Sequence, residues 1–243
     1  MKNEWFASWF DTKYYHTLYQ NRDDNEAKAF IKKLVENLAI PKGANVLDLA
    51  CGKGRHSITL NELGYTVLGA DLSQNSIDFA SKSSKDGLQF LVHDMREIIP
   101  NVSFSAIFNL FTSFGYFENE SDNLKVLEAV HQMLENDGIL VIDFMNATQV
   151  INSLVLEEIK IIDNITFNIK KEYDGKHIYK HIKFKDQEEN YHFTERVQAL
   201  TFDIFENLLS QTGFKILRTF GDFNLNPFDK MNSERLIIIA QKN

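Results

Sequence analysis

The stretch Asp48-Leu49-Ala50-Cys51-Gly52-Lys53-Gly54 puts a carboxylate two residues ahead of a turn built from small residues. Glycines where a strand passes into a helix let a ligand approach the backbone, with the first amides of the helix facing it. The next apolar run ends in Gly69-Ala70-Asp71-Leu72-Ser73. A carboxylate at that place can accept both hydroxyls of a ribose, as dinucleotide-binding folds do. A third run ends in His93-Asp94-Met95, which offers a carboxylate for an exocyclic amine and an apolar side chain for a purine face. Three strand ends therefore carry groups suited to one nucleoside ligand.

The elements that position these groups follow from hydrophobic periodicity. Apolar runs at 46–50, 66–70, 88–92, 106–110 and 139–144 read as buried strands. Between them lie helical patterns: Ile58, Leu60 and Leu63; Ile77 and Ala80 behind a Ser73 cap; and Leu124, Leu127, Val130 and Leu134, ending at Asp137-Gly138. Upstream, Ala27, Phe30, Ile31, Leu34, Val35 and Leu38 recur at helical spacing behind a capping box of Asp23 and Glu26. Strand–helix alternation with apolar strands predicts an α/β, doubly wound parallel sheet covered on both faces.

After residue 150 the period changes. Ile159 and Ile161, then Ile165, Phe167 and Ile169, alternate with polar residues, Asp174-Gly175 signals a hairpin, and Ile178, Ile182 and Phe184 share one face. A helix at 204–213 and strands at 214–220 and 234–240 return to the α/β pattern. The expected organisation is a core of residues 1–150 and 200–243, with an N-terminal helical lid. Residues 151–199 form an antiparallel β insertion that shapes an acceptor site, or alternatively a dimerisation ribbon.

Composition excludes several classes. The chain has 243 residues, 44% apolar and 25% charged, a single cysteine and a net charge of −8. One cysteine rules out an internal disulfide framework. No apolar run is long enough to cross a membrane and the N-terminal stretch lacks a signal-peptide core, so a soluble, cytoplasmic protein is expected. The acidic balance without a basic cluster argues against nucleic acid as partner. His177 and His181 lack a third ligand, so no metal is expected.

The motifs DLACGKG, Asp71 and Asp94-Met95 resemble those of class I S-adenosylmethionine-dependent methyltransferases over about residues 10–150 and 200–241. Ala50 stands where that family has its first glycine. The stretches NLFTSFGYF and FGDFNLNPF…SERL resemble a bacterial small-molecule-type subgroup whose substrate is undefined. The resemblance implies a seven-stranded mixed sheet, Rossmann-like, with an antiparallel final pair. It implies S-adenosyl-L-methionine as cofactor, with Ala50, Gly52, Gly54, Asp71, Leu72, Asp94 and Met95 around it and Asn109-Leu110 beside its methionine part. Tyr14, Tyr15, Tyr19 and Arg22 can close over the same end. Arg22 would pair with the carboxylate there, or else is a solvated residue ahead of a helix.

A sulfonium donor suits an aromatic pocket, because ring faces attract a cation without offering a competing nucleophile. Five of the twenty phenylalanines fall in 104–117. Phe104 and Phe108 read as core; Phe111, Phe114 and Tyr116 read equally as core or as pocket wall. Tyr116 and His16 are candidate catalytic bases, each with a structural alternative. Asp143 points into the site or bonds the amides of the next loop. The expected reaction moves a methyl group to N or O of a small-molecule acceptor by in-line displacement, in a monomer or homodimer. The alternatives are an NAD-dependent Rossmann oxidoreductase, whose GxGxxG would need glycine where Ser57 stands, and a non-catalytic cofactor-binding regulator.

Overall fold

The strand Asn45–Leu49 (β1) is buried from Val46 onward, so its residues must pack on both faces of a sheet. The computed structural model, which describes residues 9–19, 24–38 and 40–243, places it centrally, parallel to both neighbours. On one side lie β2 (Thr66–Asp71) and β3 (Leu88–Val92); on the other lie β4 (Phe104–Asn109), β5 (Leu134–Met145), β11 (Arg235–Lys242) and β10 (Phe214–Phe220). β11 is antiparallel to β5 and to β10, so the seven-stranded sheet is mixed at that edge, as the resemblance implied.

Helices cover both faces. On one, Phe30, Ile31 and Leu34 of α2 (Asp24–Glu36) and Leu60 of α3 (Arg55–Glu62) pack on Val46, Phe108, Val141 and Ile239. On the other, Leu127 and Val130 of α5 (Glu120–Met133) and Phe205 and Leu209 of α7 (Phe202–Gln211) pack on Leu47, Ile107, Ile142 and Ile238. The helix α4 (Gln74–Ala80) begins at Ser73, whose Oγ accepts from the Ser76 amide at 3.0 Å, the cap expected from sequence.

The helix expected to run through Leu134 and end at Asp137-Gly138 stops at Met133, four residues before Asp137. Leu134 instead opens β5, in register with Phe104, and the expected strand is extended by five residues at its start. Sheet pairing has overridden helical periodicity here, and Asp137, at φ 61°, takes the turn that the Asp-Gly pair signalled. The Asp23 half of the expected capping box lies outside the described residues.

After the short helix α6 (Ala147–Asn152) the chain forms a separate four-stranded antiparallel sheet: β6 (Glu157–Ile162), β7 (Ile165–Tyr173), β8 (His177–Asp186) and β9 (Glu189–Gln198). Phe167, Ile169, Ile182 and Phe184 fall on its inner face. There they pack against Trp9, Tyr14 and Leu18, the last two from the helix α1 (Lys13–Leu18). Residues 9–19 thus fill the apolar face of the second sheet. Among the described residues no helix is long and apolar enough to cross a membrane.

Candidate active site

The chain leaves β1 through a strained turn. Ala50 has φ 64°, in the left-handed region that costs a side-chain-bearing residue energy, and Gly54, at φ 82°, forms the N-terminal cap of α3. Gly54 and Gly69 both lie against the Phe90 ring; a Cβ on either would come within 2.7 Å or 2.6 Å of it. This contact fixes how closely the turn approaches β2. Beneath it, Asp48 is buried and accepts from the Ser57 hydroxyl at 2.6 Å; burial pushes its pKa up to about 6.

Asp71 at the end of β2 is held from two directions. Its Oδ2 accepts from the Gly52 amide and its Oδ1 from the Ser73 amide, each at 2.8 Å. Burial raises its pKa against these two amides, which favour the charged form. A carboxylate has about four lone-pair positions, so capacity remains for a ligand's hydroxyls. Asp94, after β3, is occupied differently. Arg96 grips it in a fork, Nε to Oδ1 at 3.0 Å and Nη2 to Oδ2 at 2.6 Å, and its Cζ lies 5.0 Å from the centre of the Phe117 ring. Burial works against the Asp94 charge, but the bonds from Arg96 prevail and its pKa is lowered.

The loop after β4 contains two successive left-handed residues, Phe111 at φ 59° and Thr112 at φ 60°. Asp143 of β5 holds them in place. Its Oδ2 accepts from the Phe111 amide at 2.9 Å, while Arg235 of β11 donates to its Oδ1 at 2.7 and 2.9 Å and to the Thr112 hydroxyl at 3.1 Å. Of the two expectations for Asp143, the structure matches the loop-bonding one. Phe111 so placed stacks on His56 and lies under Arg55, whose Cζ is 4.6 Å from the ring centre.

The N-terminal segment and β9 close the remaining side. Trp9 Nε1 donates to Glu195 Oε1 at 2.7 Å, and the Tyr19 hydroxyl lies 2.8 Å from both Glu195 oxygens. Lys180 donates to the Tyr19 hydroxyl at 2.6 Å, and burial lowers its pKa to about 8. Ser73 donates to Asp11, tying the same segment to the end of β2.

These elements enclose a cavity of about 600 Å³, within the usual range for small-molecule sites. Of the residues singled out from sequence, Ala50, Gly52, Asp71, Leu72, Asp94, Met95, Leu110, Tyr19, His16 and Tyr116 line it. Gly54 supports its floor against Phe90. Asn109 does not reach it; the side chain is buried and donates to the Leu49 carbonyl at 3.1 Å. Phe114 is core, packed on Phe205, whereas Phe111 and Phe117 line the cavity. Arg22 lies outside the described residues. His16 is partly buried, and desolvation together with Lys53 lowers its pKa. Cys51 is a buried free thiol whose pKa burial pushes up, so it is no nucleophile.

Sequence reasoning missed Arg96 and Glu195. Arg96 gave no signal, since its pairing depends on a local turn. Glu195 did: in β9 it falls at the same two-residue spacing as Tyr191, Phe193 and Val197, a charge in the series that faces inward.

Residues 40–196 match the family model described as a methyltransferase domain. The chain is 31% identical over 210 residues to the glycine/sarcosine N-methyltransferase of Aphanothece halophytica, covering 83% of this chain and 76% of that one. It is 29% identical over 223 residues to the putative methyltransferase YqeM of Bacillus subtilis (strain 168), covering 84% and 86%. Among solved structures, an S-adenosylmethionine-dependent methyltransferase from Clostridium acetobutylicum ATCC 824 shares the fold, with a TM-score of 0.78 at 22% identity over 95% of this chain and 96% of that one.

Proposed function

The chain belongs to the methyltransferase-domain family and is an S-adenosylmethionine-dependent enzyme, and from that premise we propose that it methylates a nitrogen of a small molecule. One observation carries the reading. A single cavity runs from the carboxylate of Asp71 to an aromatic wall that includes Tyr19, Tyr116 and Phe117. Nitrogen is favoured over oxygen by the N-methyltransferase among the relatives.

The residues present fit the methyl donor. The small-residue turn leaves backbone exposed beside Gly52, where a Cβ would meet nothing within 4 Å. Asp71 presents its remaining lone pairs to ribose hydroxyls, and Leu72 and Met95 supply apolar surface for a purine. Asp94, held by Arg96, steadies the loop that carries Met95. When bound, S-adenosylmethionine supplies an electrophilic methyl group on a cationic sulfur. The aromatic wall tolerates that charge and keeps water from competing for it. Holding the acceptor in line at about 3 Å supplies roughly 7–11 kcal/mol of barrier lowering, so little covalent chemistry is asked of the protein. His16, kept neutral near pH 7 by its lowered pKa, and Tyr116 are placed in the cavity wall to take the acceptor's proton.

Calorimetric titration with S-adenosylmethionine and S-adenosylhomocysteine tests the donor. Methyl transfer to glycine, sarcosine and a nucleotide-linked amino sugar tests the acceptor. Binding of neither adenosyl compound would sink the proposal, and stabilisation by NAD in their place would favour a dehydrogenase.

A further inference from the structure

Among the described residues, three carboxylates line the cavity: Asp71, Asp94 and Glu195. The first is held by two amides and the second is clamped by an arginine. Glu195 differs in that its hydrogen-bond partners are neutral donors, the Trp9 indole and the Tyr19 hydroxyl. The nearby cation, Lys180, stands 3.9 Å from Oε2, beyond hydrogen-bond reach, and is not among the residues that line the cavity. Its ammonium is directed to the Tyr19 hydroxyl. Oε1 receives two donors and Oε2 only the shared tyrosine hydroxyl, so Oε2 keeps a lone pair for a ligand.

Aromatic rings continue from this carboxylate around the cavity. Tyr19 packs on Tyr15 at 4.9 Å between ring centres, Tyr15 on Phe10 at 4.8 Å, and Phe10 meets Tyr116 edge to face at 5.4 Å. All four rings line the cavity. Electron-rich ring faces beside a single desolvated carboxylate make a site that favours a compact organic cation over a neutral molecule of the same shape. The side chain of Glu195 is 15% exposed, so its field is little screened.

We propose that Glu195, with the rings of Phe10, Tyr15, Tyr19 and Tyr116, forms an ammonium-recognition subsite, so that the acceptor is an alkylamine captured as its cation, which gives up one proton to His16 in the same cavity wall before its nitrogen lone pair takes the methyl group. This rests on the methyltransferase reading and adds the acceptor's charge to it. Glu195 is then a binding residue for the acceptor and has no part in holding the methyl donor.

The test uses the full chain saturated with S-adenosylhomocysteine and two probes of similar shape, tetramethylammonium chloride and neutral 2,2-dimethylpropan-1-ol. Affinities are read by calorimetry and by the fluorescence of the tryptophans, Trp9 being bonded to Glu195. The expected result is at least tenfold tighter binding of the cation. Glu195→Gln, which keeps a side-chain oxygen for Trp9 and Tyr19, should abolish the preference and leave the S-adenosylhomocysteine affinity within about twofold. Equal binding of the two probes by the unmodified protein overturns the proposal, and that comparison needs no variant to fold. A preference that survives in Glu195→Gln also overturns it. Failure of S-adenosylhomocysteine itself to bind would instead overturn the methyltransferase reading, so the two failures are distinguishable.

Discussion

Asp71 stands out in the sequence through local order alone: a carboxylate at the end of the second strand, facing a small-residue turn. The structure adds that the carboxylate holds that turn in place through the Gly52 amide. Asp71→Ala should therefore weaken S-adenosylhomocysteine binding more than tenfold in a calorimetric titration, since a hydrogen bond to a charged group contributes about 1.5–3 kcal/mol. Asp48 makes a second prediction, one of pH. Burial raises its pKa from 3.8 to about 6 in the folded state, so keeping it ionised opposes folding. That cost is fully present above pH 6 and is relieved as pH falls through 6 toward 3.8. Asp48→Asn should stabilise the protein at pH 8 by up to about 3 kcal/mol, with the gain shrinking toward pH 4 in urea titrations. A gain that does not change with pH would contradict this assignment. Glu195 was less accessible from sequence because its partners, Trp9 and Tyr19, lie on a distant segment.

At the scale of elements, the strands and most helices were readable because burial on two faces leaves near-continuous apolar runs. The boundary at Leu134 was not, since a helical repeat and a strand start share the same leucine and long-range pairing with Phe104 decides between them. The Asp163-Asn164 turn between β6 and β7, both residues left-handed, is a hairpin signal that the alternating isoleucines on either side overshadowed. The turn after β1 provides a direct test of strain. Ala50 occupies a conformation glycine adopts freely, so Ala50→Gly should stabilise by about 1 kcal/mol in urea denaturation, net of the added chain entropy. Gly54→Ala should act in the opposite sense, because its Cβ would collide with Phe90 and its φ is positive. A cost of about 1–3 kcal/mol is expected, with weaker adenosyl-ligand binding as the turn shifts. Breaking the Asp143–Arg235 pair with Arg235→Met removes the cation that faces the buried Asp143 carboxylate and should cost about 3–5 kcal/mol. It should also release the loop that positions Phe111.

Across the whole molecule, the second sheet joins the first through the N-terminal segment. Asp11 is bonded to Ser73 at the end of β2, while Trp9 and Tyr14 are bonded to Glu195 and Asp186 of the antiparallel sheet. A further link is direct: the Asn123 side chain of α5 donates to Gln198 of β9 at 2.6 Å, and the Gln198 amide donates to the Gly115 carbonyl. The cavity lies among these links and is lined from the main sheet, from the segment of residues 9–19 and from β9. A ligand's binding energy should then stabilise all three as one cooperative unit. S-adenosylhomocysteine at a hundred times its Kd is expected to add about 2.7 kcal/mol, which for a chain of this size raises Tm by about 5–10 °C. Far-ultraviolet dichroism, which reports mainly the secondary structure, and tryptophan fluorescence, which includes Trp9 beside Glu195, should move by the same amount and stay coincident. A tryptophan transition that precedes the dichroism and ignores the ligand would mean that the N-terminal segment is anchored to the second sheet alone. The aromatic wall of the cavity would then be uncoupled from the main sheet and would have to assemble by some other means.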